Sequence, residues 1–278
     1  MEFTKLQGSG NDFILIDNRD GKVYETLERL GICLKEFIVK LCEAHTGVGA
    51  DGLILIEEPE DPSNDFRWQF FNADGSEAEM CGNGSRCAVR FCYDLGIVGE
   101  RVSFETLAGV IKAEVLERGR RVKVQLTPPS GVVEKTLSLE GEEIRGFFIN
   151  TGVPHFVVPV EEVEKVDVVK LGRAIRFHRE FEPKGTNVNF IQPVSRKRIK
   201  IRTYERGVES ETLACGTGAT AGAIVARLQN LVTEKPVEVL TKSGELLRID
   251  FDDGLKEVSL EGSVYKVYDG FLSYEIFT

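Results

Sequence analysis

A chain of 278 residues is long for one hydrophobic core and comfortable for two. Its 42% hydrophobic and 29% charged residues are those of an ordinary soluble globular protein. A net charge of −10 argues against nucleic acid or an anionic membrane as a partner, so an anionic ligand has to be held by local donors. Met1 to Lys5 form no apolar signal segment and no run approaches a membrane span. The expected setting is therefore the cytoplasm, where the six cysteines stay mostly as free thiols.

Strands and helices alternate along the chain. Phe13 to Asp17 and Leu53 to Ile56 read as buried strands, and Trp68 to Asn72 as an alternating one. Between them, Glu25 to His45 is amphipathic and reads as one or two helices. Asn72-Ala73-Asp74-Gly75 has the residues of a turn. Gly84 to Leu95 carries a helical stripe of Cys87, Ala88, Phe91, Cys92 and Leu95, closed by Gly96. Phe104 to Leu126 is hairpin-rich, and Thr127-Pro128-Pro129-Ser130-Gly131 reads as a linker near the midpoint. Gly218 to Leu228 is small and apolar almost all round, the pattern of a fully buried helix. Val237 to Leu260 is again hairpin-rich, and Val264 to Ile276 is a strand-like tail with the option of pairing back onto the first half.

Two halves of this series match. Cys81-Gly82-Asn83-Gly84 and Cys215-Gly216-Thr217-Gly218 lie 134 residues apart, each ahead of a helical run. The distance from each cysteine to the threonine that follows its next strand is 25 residues to Thr106 and 26 to Thr241. Upstream, Gly10 to Ile16 resembles Val153 to Pro159, an apolar strand starting on a polar corner. So long a period indicates two homologous domains rather than a solenoid, here 1–127, completed by 265–278, and 128–264.

The repeated element carries chemistry. A thiol ahead of a glycine-rich helix start sits beside free backbone N–H groups and the positive end of the helix dipole, a place that binds anions and favours thiolate. Two such thiols, in matching places, suggest an acid and a base opposed across one carbon, which inversion of a stereocentre requires. Neither glycine loop ends in Gly-Lys-Ser/Thr, which disfavours a nucleotide P-loop. No Cys/His pairing has zinc spacing, so no metal is expected. Cys33, Cys42, Cys87 and Cys92 read as small hydrophobic packing residues, and His178, in a charged stretch, as a surface residue.

Over its whole length the chain resembles the diaminopimelate epimerase family. The resemblance is carried by Gly8 to Phe13, Gly47 to Gly52, Phe71 to Ser76, Cys81 to Arg86, Tyr204 to Gly207, Ala214 to Ala219 and Tyr268 to Phe271. It implies an α/β (α+β) fold of two homologous domains, each a curved, mostly antiparallel sheet around a central helix, with the site in the cleft between them. It implies cofactor-free interconversion of LL- and meso-2,6-diaminopimelate, in lysine and peptidoglycan precursor synthesis, with Cys81 and Cys215 as the acid/base pair. No residue marks a Schiff-base lysine, so the substrate carboxylate and developing carbanion would be held by donors such as the backbone of Gly82, Asn83, Gly216 and Thr217. Arg206 with Asn11, Asn72 and Asn187 suits a distal ammonium and carboxylate, and Glu205 the reacting ammonium. The resemblance further implies that His155 and Glu205 tune the thiols and that Tyr268 lies at a homodimer contact.

The chain departs from the family pattern in places. Val153 stands where relatives often carry Asn, with Asn150, near in sequence, or a water as the substitute. One extra residue lies between Arg206 and Cys215, and Gly52 replaces a Gln of some relatives. The competing readings are a proline racemase-like or phenazine-biosynthesis-like isomerase and a non-catalytic amino-acid-binding protein. Paired cysteines are unnecessary in the latter, and Arg206 with three asparagines argues against a simple cyclic substrate.

Overall fold

A computed structural model describes residues 1–139 and 141–277; Thr278, the last residue of the expected C-terminal return, lies outside them. The chain divides into two compact units, Met1–Val124 with Ser263–Thr278, and Gln125–Gly262.

The first unit is built on strands β1 (Glu2–Gly8), β2 (Asn11–Asp17), β3 (Gly52–Glu57), β4 (Phe66–Asn72), β5 (Arg101–Thr106), β6 (Gly109–Leu116) and β7 (Arg121–Leu126). The chain's last strand, β17 (Tyr265–Phe271), joins them by pairing antiparallel with β1. Read across the sheet, the order is β17-β1-β2-β3-β4-β5-β6-β7; the β2–β3 and β4–β5 pairs are parallel and the others antiparallel. The amphipathic run after β2 is two helices, α1 (Lys22–Leu30) and α2 (Leu34–Cys42). The break falls at Gly31, whose left-handed φ of 67° ends α1 at little cost for a residue without Cβ.

Helix α3 (Gly82–Asp94) is the central one and packs against β1, β2 and β3. Alternation along the strands divides the core between the two sheet faces. Ile14, Ile16, Leu53 and Leu55 join Val23, Phe37, Ile38 and Leu41 of α1 and α2, while Ile54 points at the start of α3. That is why β3 reads as an unbroken apolar run: both of its faces are covered.

The second unit repeats this plan with β8 (Ser130–Leu139), β9 (Glu142–Asn150), β10 (Pro154–Pro159), β11 (Asn187–Pro193), β12 (Arg198–Glu205), β14 (Val237–Leu240), β15 (Leu246–Phe251) and β16 (Val258–Ser263). They lie in that order across the sheet, with β10–β11 and β12–β14 parallel and the rest antiparallel. Strand for strand, this is the pairing sequence of the first unit. Helix α4 (Val168–Arg176) covers one face through Phe156, Val188 and Phe190, and the central helix α5 (Gly216–Leu228) the other. α5 is apolar all round because small residues let it lie close on the sheet: a Cβ on Gly222 would meet Ile191 at 3.0 Å and Ile201 at 3.2 Å.

Two expectations change. The linker is shorter than Thr127–Gly131, because Ser130 already pairs with Asn150 in the β8–β9 hairpin. Cys33 is exposed at the N-terminus of α2 rather than packed inside. The segment after Arg206 turns back as a hairpin into β13 (Ser210–Thr212), where Glu205 pairs with Ser210.

Candidate active site

Both candidate thiols occupy the same structural position. Cys81 and Cys215 are the N-cap residues of α3 and α5, with extended backbone, and both are half-buried. Such a residue stands beside N–H groups that have no partner within the helix. At Cys81 the sulfur accepts one of them, from Gly84 N at 3.4 Å. Cys215 makes no such cap bond; its Sγ lies 3.4 Å from Thr217 Oγ1.

Around Cys81 the first unit gathers Asn11 and Asn83. Asn11 Oδ1 lies 3.7 Å from Cys81 Sγ and 3.4 Å from Asn83 Nδ2, and its own amide donates to Asp51 Oδ2 at 2.6 Å. Asn72 ends β4 on the same end of the sheet, since it pairs with Gly52 and Gly52 with Phe13. It is exposed, closes the expected turn, and donates to Ser76 Oγ at 3.0 Å.

Around Cys215 the second unit gathers residues from three strands. His155, fully buried at the start of β10, reaches Thr217 Oγ1 with Nε2 at 3.0 Å and Asn189 Nδ2 with Nδ1 at 2.9 Å. Asn187 is buried, donating to Pro154 O at 3.0 Å and accepting the Arg206 backbone N–H at 2.8 Å. It therefore sets the chain path at Arg206. Glu205 ends β12, and the half-buried Arg206 side chain donates to Lys184 O at 3.3 Å. Arg206 lines a cavity of about 540 Å³ together with Val153, Asn150 and Lys184. Asn150 accepts from Gly152 N at 3.0 Å, so it braces the turn at the Val153 position. A larger cavity, about 1200 Å³, lies against α1 and the C-terminal tail and is lined by none of the candidate site residues. Tyr268 is also elsewhere, on β17, edge-to-face with Phe3 at 5.8 Å.

The sequence profile of the diaminopimelate epimerase family matches residues 3–132 and 147–267. The chain belongs to that family. It is 71% identical to the diaminopimelate epimerase of Aquifex aeolicus (strain VF5) over 276 residues, covering 99% of each chain. With the diaminopimelate epimerase of Archaeoglobus fulgidus it shares 41%, over 97% of this chain and 95% of the relative. Two solved structures share its fold: a probable proline racemase from Agrobacterium radiobacter K84 (TM-score 0.69, 15% identity, 98% and 92% of the two chains) and a PhzF-family phenazine biosynthesis protein of Bacillus anthracis (TM-score 0.69, 16%, 98% and 99%). The mostly antiparallel, two-unit α/β architecture that the diaminopimelate epimerase resemblance implied is thus the one present.

Within this epimerase fold, several polar residues escaped the sequence reading. Arg86, fully buried on α3, donates to Asn83 Oδ1 at 2.7 Å and Ser9 Oγ at 2.8 Å. A guanidinium only donates, so it fixes the Asn83 amide with its nitrogen toward Asn11. Asp51, Asn189 and Thr203 were equally unassigned, although Asp51 and Arg86 fall inside the stretches that carry the family resemblance. Only Asn189 carried a signal, a polar residue in the otherwise apolar strand β11. Of the other cysteines, burial pushes Cys42 up to about 12 and Cys92 well above its ordinary value, which keeps both as inert thiols. His178 is half-buried rather than a free surface residue, accepting Glu180 N at 3.3 Å. Among the described residues, no helix is long and apolar enough to cross a membrane.

Burial, with the nearby charge of Arg206 second, lowers His155 from 6.5 to about 3. The unfolded ring takes up a proton near its ordinary value that the folded ring refuses until about pH 3, so stability is complete above 6.5 and falls as pH drops between the two. This one group should cost about 2 kcal/mol between pH 7.5 and 5. Urea unfolding at those two pH values should show a larger loss for the wild type than for His155→Gln; equal losses would mean that the folded ring takes up its proton.

Proposed function

We infer that the protein interconverts LL- and meso-2,6-diaminopimelate by proton exchange at one α-carbon, without a cofactor, in the route to lysine and peptidoglycan precursors. The observation that carries this reading is the duplicated one: in a chain of this family, two units with the same strand pairing each place a cysteine at the N-cap of the central helix. Cys81 and Cys215 work as base and acid on opposite faces of the α-carbon, and exchange roles when the direction reverses. The α-proton of an amino acid is very weakly acidic because its removal builds charge beside a carboxylate. The N–H groups of Gly82, Asn83, Gly216 and Thr217 oppose that cost at the carboxylate, and Glu205 takes the ammonium. Arg206, Asn11, Asn72 and Asn187 read the distal ammonium and carboxylate, while His155 and Glu205 tune the sulfurs.

Incubating the purified protein with LL-diaminopimelate in deuterated water tests the reading directly. Meso product carrying one deuterium at the inverted carbon is expected. Recovery of unlabelled LL compound would leave only ligand binding, and deuterium exchange into proline but not diaminopimelate would favour the racemase alternative.

The same reading makes the protein a cytoplasmic homodimer in contact through β17. What supports the dimer is an edge strand that exposes Tyr265, Val267, Tyr268 and Phe271, the last by 78%. Sedimentation should find the wild type as a dimer and Tyr268→Ala shifted toward monomer; two identical species would leave this tyrosine with its Phe3 packing role alone.

A further inference from the structure

A line of four polar side chains ends on the sulfur of Cys215. Asn189, fully buried in β11, faces Thr203 across the β11–β12 pairing, and Thr203 Oγ1 donates to Asn189 Oδ1 at 3.0 Å. That bond turns the other half of the amide, Nδ2, toward His155 Nδ1 at 2.9 Å. Glycine at 218 leaves the space this amide occupies, since a Cβ there would stand 2.3 Å from Asn189 Oδ1. An amide nitrogen only donates, so Nδ1 of the ring has to offer a lone pair. A neutral imidazole then carries its single proton on Nε2, 3.0 Å from Thr217 Oγ1. The burial that lowers His155 to about 3 keeps the ring neutral at working pH. Thr217 thereby accepts from the ring, and its own hydroxyl proton is left to point at Cys215 Sγ, 3.4 Å away. A further bond, from Thr151 Oγ1 to the Thr217 carbonyl at 3.1 Å, holds the backbone of this threonine in place.

We propose that Asn189 is a positioning residue: it sets the tautomer of His155, which makes Thr217 donate its proton to Cys215 and so stabilise that sulfur as thiolate. The inference rests on the reading of Cys215 as an acid/base group, and it adds the direction in which the hydrogen bonds run. With the opposite tautomer, Nε2 would accept from Thr217 and the hydroxyl proton would point away from the sulfur. An imidazole alone can present either face; the asparagine chooses.

Two readouts on the full-length protein test this without diaminopimelate. The chain has only three histidines, so ¹⁵N-histidine NMR, with His155→Gln for assignment, reads the ring directly. A proton on Nε2 of His155 at pH 7 is expected in the wild type; a proton on Nδ1 would overturn the proposal. In Asn189→Asp, whose carboxylate accepts where the amide donated, the proton should move to Nδ1 and leave Nε2 without one. The second readout is the iodoacetamide alkylation rate of Cys215, followed by peptide mapping in a Cys81→Ala background. Loss of a hydrogen bond to a charged sulfur should slow it roughly tenfold or more at neutral pH in Thr217→Val and in Asn189→Asp, with Thr217→Ser restoring the rate. An unchanged rate in Thr217→Val would overturn the relay, whether or not the asparagine variant folds. A protein that shows the Nε2 tautomer and the slowed alkylation but fails to epimerise diaminopimelate would refute the proposed reaction and leave the relay standing.

Discussion

Replacing either Cys81 or Cys215 by Ala should abolish epimerisation of diaminopimelate while leaving the protein folded. A site with one remaining thiol can remove the α-proton from one face but cannot deliver another to the opposite face. General acid or base catalysis by a positioned group contributes roughly 10²–10⁴-fold, and here the missing group has no substitute, so a loss at the upper end is expected. The cost to stability should be small and unequal. Cys81→Ala gives up the cap bond from Gly84 N, worth about 1 kcal/mol or less for a weak sulfur acceptor, whereas Cys215 makes no cap bond to lose. Thermal unfolding beside the deuterium assay separates the two effects. Near wild-type epimerisation by either folded single variant would end the two-thiol mechanism.

Arg206→Lys should lower kcat/KM for diaminopimelate about ten- to a hundredfold, the value of a charge-assisted hydrogen bond at roughly 1.5–3 kcal/mol. Lysine keeps the charge and loses the planar fork that meets a carboxylate at two oxygens. The fold should tolerate the change, because Asn187 holds position 206 through its backbone N–H and not through the guanidinium. If the distal carboxylate is gripped equally in ground and transition states, the effect falls on KM; if its grip aligns the α-carbon, kcat falls too. An unchanged kcat/KM would mean that Arg206 serves Lys184 and its loop rather than the substrate.

The candidate thiols were legible because helix starts are written locally. A cysteine followed by glycines and then a small apolar run defines an N-cap whatever surrounds it, and both spans, Gly82–Asp94 and Gly216–Leu228, begin where that signal stands. The duplication was legible for the same reason, since spacing between like elements needs no knowledge of contacts. Asn189 and Arg86 were illegible in their roles. In the sequence, Asn189 is a polar interruption in an apolar strand and Arg86 one of several polar residues on a mixed helix, and each acquires meaning only from the atom that satisfies it.

What the sequence determined by itself is therefore the elements around each thiol loop, the two-fold repeat and the two thiols at helix starts. Strands β8, β9, β11 and β12 and helix α4 of the second unit were not read from it. The tertiary structure decided which strand neighbours which. It brought the last strand, β17, onto β1, and it laid β10 parallel to β11 so that His155 stands opposite Asn187 and reaches Asn189. It also filled each unit's interior with one helix, close enough for Thr217 to touch a histidine 62 residues earlier. Backbone periodicity reaches no farther than a single helix or strand. Hydrogen-bond partners that distant in sequence are chosen by sheet pairing and by the burial of both helix and sheet faces, and these exist only once the chain has closed on itself.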